Sequence, residues 1–146
     1  DLNVFNFKLQ RIEILNSIAI IYNEIKQYGK SIQVYEKAFN ELDHLVDVRD
    51  LKIEIRLCYG IAKSLYKIEQ FKKSIYFCNR GIRCCINHEL LYLLGELYYQ
   101  NGLNDERLKN FNKAEENFIK SINLFEIENK PEFVKIAQDR LHNMIG

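Results

Sequence analysis

Two asparagines seven residues apart, Asn16 and Asn23, are the first residues of this 146-residue chain whose type and spacing suggest chemistry. Seven residues are two helical turns, so both amides fall on one face. A side-chain amide donates and accepts hydrogen bonds at once, which suits it to a peptide backbone. Further along, Arg56, Lys63 and Lys67 recur at helical spacing and would align three positive charges suited to a carboxylate. Tyr59 and Tyr66, then Tyr92 and Tyr99, repeat the seven-residue interval and offer flat amphipathic surface of the kind found in recognition sites. Ile20 and Glu96 complete the expected binding set, with Glu13, Glu24, Glu89 and Gln100 beside them. The chemistry implied is non-covalent capture of an extended polypeptide segment.

Catalytic arrangements do not emerge. Glu115 and Glu116 are adjacent, so on a helix they diverge and cannot share acid–base work. His44, His88 and His142 belong to no nucleophile or metal motif, and no glycine-rich phosphate loop is present. Cys84, Cys85 and His88 could bring ligands near one another, but no second ligand pair accompanies them, so helix packing is the expected role. Cys58 and Cys78 fall where a core side chain is expected, and all four cysteines are expected to be reduced. A net charge of +1 creates no field for nucleic acid or anionic lipid. No apolar run approaches the ~18 residues of a membrane span, and the first residues do not resemble a signal peptide. The expectation is a cytoplasmic binding module, not an enzyme, needing no metal or cofactor.

The elements that would position these side chains show themselves by repetition. Residues 18–32 read IAIIYNEIKQYGKSI and residues 61–75 read IAKSLYKIEQFKKSI, identical at 7 of 15 positions. A period of this order marks a stack of helical hairpins, because one unit cannot bury its apolar face alone. The internal spacing is that of a tetratricopeptide pair: Leu15, Ile18, Ala19 and Tyr22 on the first helix, Ser31, Tyr35 and Ala38 on the second. Cys58, Ile61, Ala62 and Leu65 repeat the first set, and Ser74, Cys78 and Gly81 the second. A divergent third copy is read through Leu91, Leu94, Gly95 and Tyr98, then Ala114, Phe118 and Ser121.

The spacing predicts an all-α chain with repeats over about 12–46, 51–86 and 89–128 and a capping helix over 131–145. They form a right-handed superhelical stack whose first helices line the groove. Gly29 is expected to break the first helix, whose partner runs from Lys30 to about Val46. Asn101-Gly102 is expected to stop the fifth helix. On that register the third unit carries seven extra residues between its small residues, Gly95 and Ala114. The 43-residue shift also exceeds the ~34 usual for this repeat, and the surplus is assigned to 41–50. Because the chain starts at Asp1 without a methionine, it is expected to be part of a longer protein.

The phrases RIEILNSIAIIYNEIKQYGKSIQVYEKAF, LCYGIAKSLYKIEQFKKSIYFCNRGIRCCI and LLYLLGELYYQNG, with the later NFNKAEENFIKSINLFE, carry a more specific resemblance. Together they resemble the C-terminal domain of the peptide-sensing transcriptional regulators called RRNPP (Rgg/PlcR-like), from about Ile12 to Ile145. The resemblance implies a short signalling peptide in the concave groove, quorum sensing, a homodimer, and DNA contact only through a helix-turn-helix domain absent here. Groove asparagines of that family hold the peptide backbone, a role that would fall to Asn16 and Asn23. Gly60 and Lys63 depart from the family, whose members often carry an asparagine nearby. The alternative is a generic adaptor that docks a larger protein. A phosphatase-type inhibitor is a third reading, but it relies on an N-terminal bundle that these residues do not contain.

Overall fold

Small residues at one place in each helix let the two helices of a hairpin cross closely, and this crossing generates the architecture. A computed structural model describes residues 2–45 and 50–145, and these form seven α-helices with no strand among them. They are α1 (Leu2–Glu24), α2 (Tyr28–Asp43), α3 (Leu51–Lys67), α4 (Phe71–Asn87), α5 (Leu94–Arg107), α6 (Phe111–Ile127) and α7 (Pro131–Ile145). Each helix packs on the next, and α1, α3 and α5 also touch in series. The result is the superhelical stack of three hairpins and a capping helix.

At the first crossing Ala19 is fully buried, and the buried Ser31 hydroxyl donates to its carbonyl at 2.8 Å. The second crossing repeats this with Ser74 and Ala62, again at 2.8 Å. A hydroxyl can back-bond to a carbonyl only where the helices nearly touch, so the pair reports the closeness. The hydroxyls also join one hairpin to the next: Ser64 Oγ lies 3.0 Å from Ser31 Oγ, and Asn104 Nδ2 donates to Ser74 Oγ at 2.8 Å. Ser64 and Asn104 each stand two residues after the small residue of their helix, so this polar ladder follows the repeat.

The third unit corrects the sequence reading. Its crossing residue is Gly102, not Gly95: Gly102 is buried within α5 and lies twelve residues before Ala114, the interval of Ala19 to Ser31 and of Ala62 to Ser74. A Cβ at Gly102 would lie 2.6 Å from the buried Phe118 ring, so the glycine provides close approach, not a helix stop. The helix reverses seven residues later at Lys109, as it does at Lys26 and Glu69, all three in the left-handed region. In each turn the following amide reaches back to a carbonyl of the last helical turn: Gln27 to Tyr22, Gln70 to Leu65, Asn110 to Asp105. No seven-residue insertion exists; Gly95 and Gly102 are two turns apart on one face, which is why both registers fit the pattern.

Other boundaries also move. The first break is at Ile25–Gln27, and Gly29 lies inside α2. That helix ends at Asp43, while the expected end at Val46 and part of the 41–50 surplus lie outside the described residues. Residues from Glu89 to Leu93, expected to open the fifth helix, form an irregular connection with Glu89 and Leu93 in the left-handed region. Asp50 caps α3, its carboxylate accepting from the amides of Lys52 and Ile53. The core divides between an α1–α3 cluster around Ile12, Tyr35, Leu42 and Leu57 and an α3–α5 cluster around Ile55, Cys78, Cys85 and Leu97.

The crossings make a quantitative expectation. Gly102→Ala, and equally Gly60→Ala against the buried Tyr35 ring, is expected to lower stability by about 1–3 kcal/mol through overpacking. Urea unfolding measures it, and two values near zero would refute the close crossings.

Candidate functional site

The equivalent positions of α1, α3 and α5 converge on one face of the stack. Glu13, Arg56 and Glu96 share one repeat position; Asn16, Tyr59 and Tyr99 share the next; Asn23, Tyr66 and Glu106 another; Glu24, Lys67 and Arg107 the last. These sets follow from the register through Ala19, Ala62 and Gly102. Arg56 pairs with Glu13 across α1 and α3 at 3.6 Å. The Lys63 ammonium lies over the Tyr59 ring, 4.3 Å from its centroid, within the field of Glu24 and Glu96. Tyr59 in turn senses Glu96 and Tyr99, and Tyr99 senses Tyr66, Glu106 and Arg140.

Burial sets the electrostatics here. Desolvation holds Lys63 below its ordinary value, with Glu24 and Glu96 opposing that shift only in part. Desolvation also pushes the Tyr59 hydroxyl up to about 12, with Glu96 adding to the rise. Three side chains of this face keep a buried polar atom without a hydrogen-bond partner: Asn16 Oδ1, Arg56 Nε and Glu96 Oε1. Acceptor, donor and acceptor thus stand on α1, α3 and α5, the alternation that a peptide backbone can satisfy.

Most expected site residues meet on this face. Asn16 is almost wholly buried and Ile20 is exposed. Asn23 accepts a 3.0 Å hydrogen bond from Ser64 and so is tied to the ladder, leaving its amide NH2 for the groove. Tyr66 is half-buried and meets Phe71 edge-on, and Lys67 is exposed at the turn. The three cations expected to wait for a carboxylate are divided, since Arg56 and Lys63 already face glutamates. Three residues read through the displaced register leave the groove: Tyr92 of the binding set, and Glu89 and Gln100 expected beside it. Tyr92 precedes α5 and lies beneath Lys52, Glu89 occupies the α4–α5 turn, and Gln100 is buried beside the crossing.

Sequence reasoning missed Glu106 and Arg107, which the corrected register supplies. Arg107 bonds Glu69 at 2.7 Å, joining α5 to the turn that follows α3. Arg140 of α7 bonds Glu106 at 2.7 Å, and Lys130 lies 3.5 Å from Glu96, so the capping helix and its turn are fastened to the groove. The cysteines behave as core residues: Cys84 and Cys85 are buried whereas His88 is exposed, so the three do not converge, and burial pushes the Cys58 and Cys78 thiols up.

The model of the RNPP family C-terminal domain matches residues 2–145. The chain belongs to the RNPP family. Its fold is similar to that of Bacillus thuringiensis PlcR in complex with the peptide PapR7 and DNA, with a TM-score of 0.82 and 27% identity over 88% of this chain and 45% of that one. The apo form of PlcR gives 0.81 and 26% identity over 90% of this chain and 48% of that one. This RNPP domain therefore spans about half the length of PlcR. A tetratricopeptide-like protein from Chlorobium tepidum shares the fold at 0.79 and 14% identity, covering 95% and 97% of the two chains. No match was found among curated protein sequences. No helix among the described residues is long and apolar enough to cross a membrane.

Lys63 of this RNPP domain gives a pH prediction. Its folded value is depressed from 10.5, so the unfolded chain holds the proton more tightly. Stability contributed through this group therefore rises with pH from the depressed value up to about 10.5. Urea unfolding of wild type and Lys63→Met at pH 8 and pH 10 is expected to show wild type gaining relative to the variant. Equal shifts in both would remove the desolvated lysine.

Proposed function

We propose that this domain is the ligand-sensing part of a cytoplasmic transcriptional regulator, binding a short extended peptide along the α1–α3–α5 face. One observation carries the reading: Asn16 Oδ1, Arg56 Nε and Glu96 Oε1 lack partners on a face flanked by tyrosines. The likeness to a PlcR complex containing a peptide supports it.

In this mechanism Asn16 and Asn23 hold the peptide backbone. Lys67 and Arg56 meet its carboxylate, with Lys63 joining once its glutamates rearrange. Tyr59, Tyr66 and Tyr99 flank its apolar side chains, and Ile20 adds apolar contact from α1. Ligand entering between Glu96 and Glu106 competes for the charges that Lys130 and Arg140 neutralise, and so acts on α7. Two protomers of a longer chain pair as a homodimer, and the shift of α7 alters the spacing of attached helix-turn-helix domains. Such a switch requires the ligand to prefer one curvature by a few kcal/mol.

The test begins by selecting a binder from a pool of short synthetic peptides on the immobilised domain, then titrating it by calorimetry. Arg56→Ala is expected to weaken binding by about tenfold or more, the equivalent of roughly 1.5–3 kcal/mol for a charge-assisted bond, and Asn23→Ala by up to about tenfold, the roughly 0.5–1.5 kcal/mol of a neutral one. Circular dichroism checks that Asn23→Ala keeps its fold despite losing Ser64. Wild-type affinity in both variants would move the site elsewhere. A failure of all short peptides, with capture of a folded protein instead, would favour an adaptor.

A further inference from the structure

Comparing successive hairpins through the corrected register exposes a substitution away from the groove. Where α3 and α4 pack on α2, the seam is apolar: Ile61 and Leu65 are buried, and Phe77 stacks on Phe39 at 5.2 Å. The same three positions in the next seam, where α5 and α6 meet α4, are Asn101, Asp105 and Asn117. An aromatic ring has become an amide, and the seam opens into a cleft of about 480 Å3 that all three residues line. That volume lies within the range of small-molecule sites.

Asn101 and Asp105 of this trio are buried, which is costly without compensation, and Asn117 is half-buried. Asn101 is 5% exposed and Asp105 6%. Asn101 Nδ2 donates to Asn79 at 2.9 Å, but its Oδ1 has no partner. Asn117 Nδ2 donates to one Asp105 oxygen at 2.9 Å and the Asn110 side chain also bonds this carboxylate, whose two oxygens can accept more than two such bonds. The inner wall thus holds one buried acceptor, Asn101 Oδ1, that no donor of the protein meets. Lys72, Lys113 and Lys120 line the same cleft, and Ile75 and Tyr98 supply an apolar wall. Burial pushes the Asp105 carboxyl up, with Asn117, Lys113 and Asn110 opposing that shift only in part.

We propose that this cleft is a second ligand site, separate from the peptide face, for a zwitterion of the α-amino-acid class with an apolar side chain. The ammonium donates to Asp105 and to Asn101 Oδ1. The carboxylate is held by Lys113 and Lys72. The side chain lies along Ile75 and Tyr98. A free amino acid and a very short peptide present the same two charges, at different separations.

The experiment titrates the 146-residue chain with L-leucine, the dipeptide Leu-Leu, N-acetyl-L-leucine and L-leucinamide, followed by calorimetry and by amide chemical shifts. Leucine or Leu-Leu is expected to bind and to shift the Asn101, Asp105 and Asn117 signals, the tighter of the two identifying the source. Blocking either charge is expected to weaken binding about tenfold or more. Lys113→Gln, a surface change, is expected to cost a similar factor. The triple change Asn101→Ile, Asp105→Leu and Asn117→Phe copies the preceding seam. It is expected to abolish binding while leaving the helical circular dichroism unchanged. Equal binding of leucine and its N-acetyl form, retention by a folded triple variant, or no binding of either zwitterion at millimolar concentration would overturn the proposal.

Discussion

The close crossing of two helices at a pair of small residues is the constraint on which this molecule rests. At Ala19 with Ser31, and at Ala62 with Ser74, the second residue is a serine whose hydroxyl closes on the opposing backbone. A larger side chain at either partner would separate the helices and break that bond. Gly102 with Ala114 achieves the approach without a hydroxyl. Because Ser64 and Asn104 contact the serine of the preceding hairpin, the crossings within hairpins also set the register between them. Buried polar groups of this kind favour one register, since any slip leaves a hydroxyl or amide unsatisfied.

Everything on the inner face inherits that register. Side chains at equivalent positions come together across helices 40 or 43 residues apart in sequence, as the Arg56–Glu13 contact illustrates. The face is not a uniform positive strip. Cations and glutamates interleave, Lys63 is desolvated against Tyr59, and two basic residues from the turn before α7 and from α7 itself reach back to Glu96 and Glu106. A surface whose charges already neutralise one another responds to a ligand by exchanging partners. The capping helix and the turn before it share those partners through Arg140 and Lys130.

The repeat also makes its departures informative. Leu57, Ile61 and Ser64 of α3 are buried against the preceding hairpin, as are Leu97, Asn101 and Asn104 of α5, whereas Ile14, Ile18 and Ile21 at the same positions of α1 are exposed. Polarity increases from the first seam to the second, and helix α5 carries Gln100, Asn101, Asn104 and Asp105 inside the protein. Apolar burial contributes roughly 25 cal/mol per Å2, and a polar seam forgoes much of it. The second seam therefore replaces part of that apolar contact with hydrogen bonds, beside the cluster around Ile55, Cys78, Cys85 and Leu97.

The residue pattern by itself determined the helical hairpins, their number, the crossings at Ala19 and Ala62, and the helices that carry Asn16, Asn23, Arg56 and Tyr59. Local spacing is enough for these, because small and bulky residues recur at helical intervals in two copies that match at 7 of 15 positions. The third unit was beyond its reach. Gly95 and Gly102 differ by two helical turns and present the same periodic signal, and an Asn-Gly pair reads as a stop wherever no neighbour is visible. Only the packed structure chose between them, since the deciding quantity is the distance from Gly102 to the Phe118 ring of another helix. For the same reason Tyr92 left the groove and Glu106 and Arg107 entered it. Charge was likewise decided by tertiary structure: three cations at helical spacing look free in sequence, and the glutamate neighbours of two of them, Arg56 and Lys63, come from other helices.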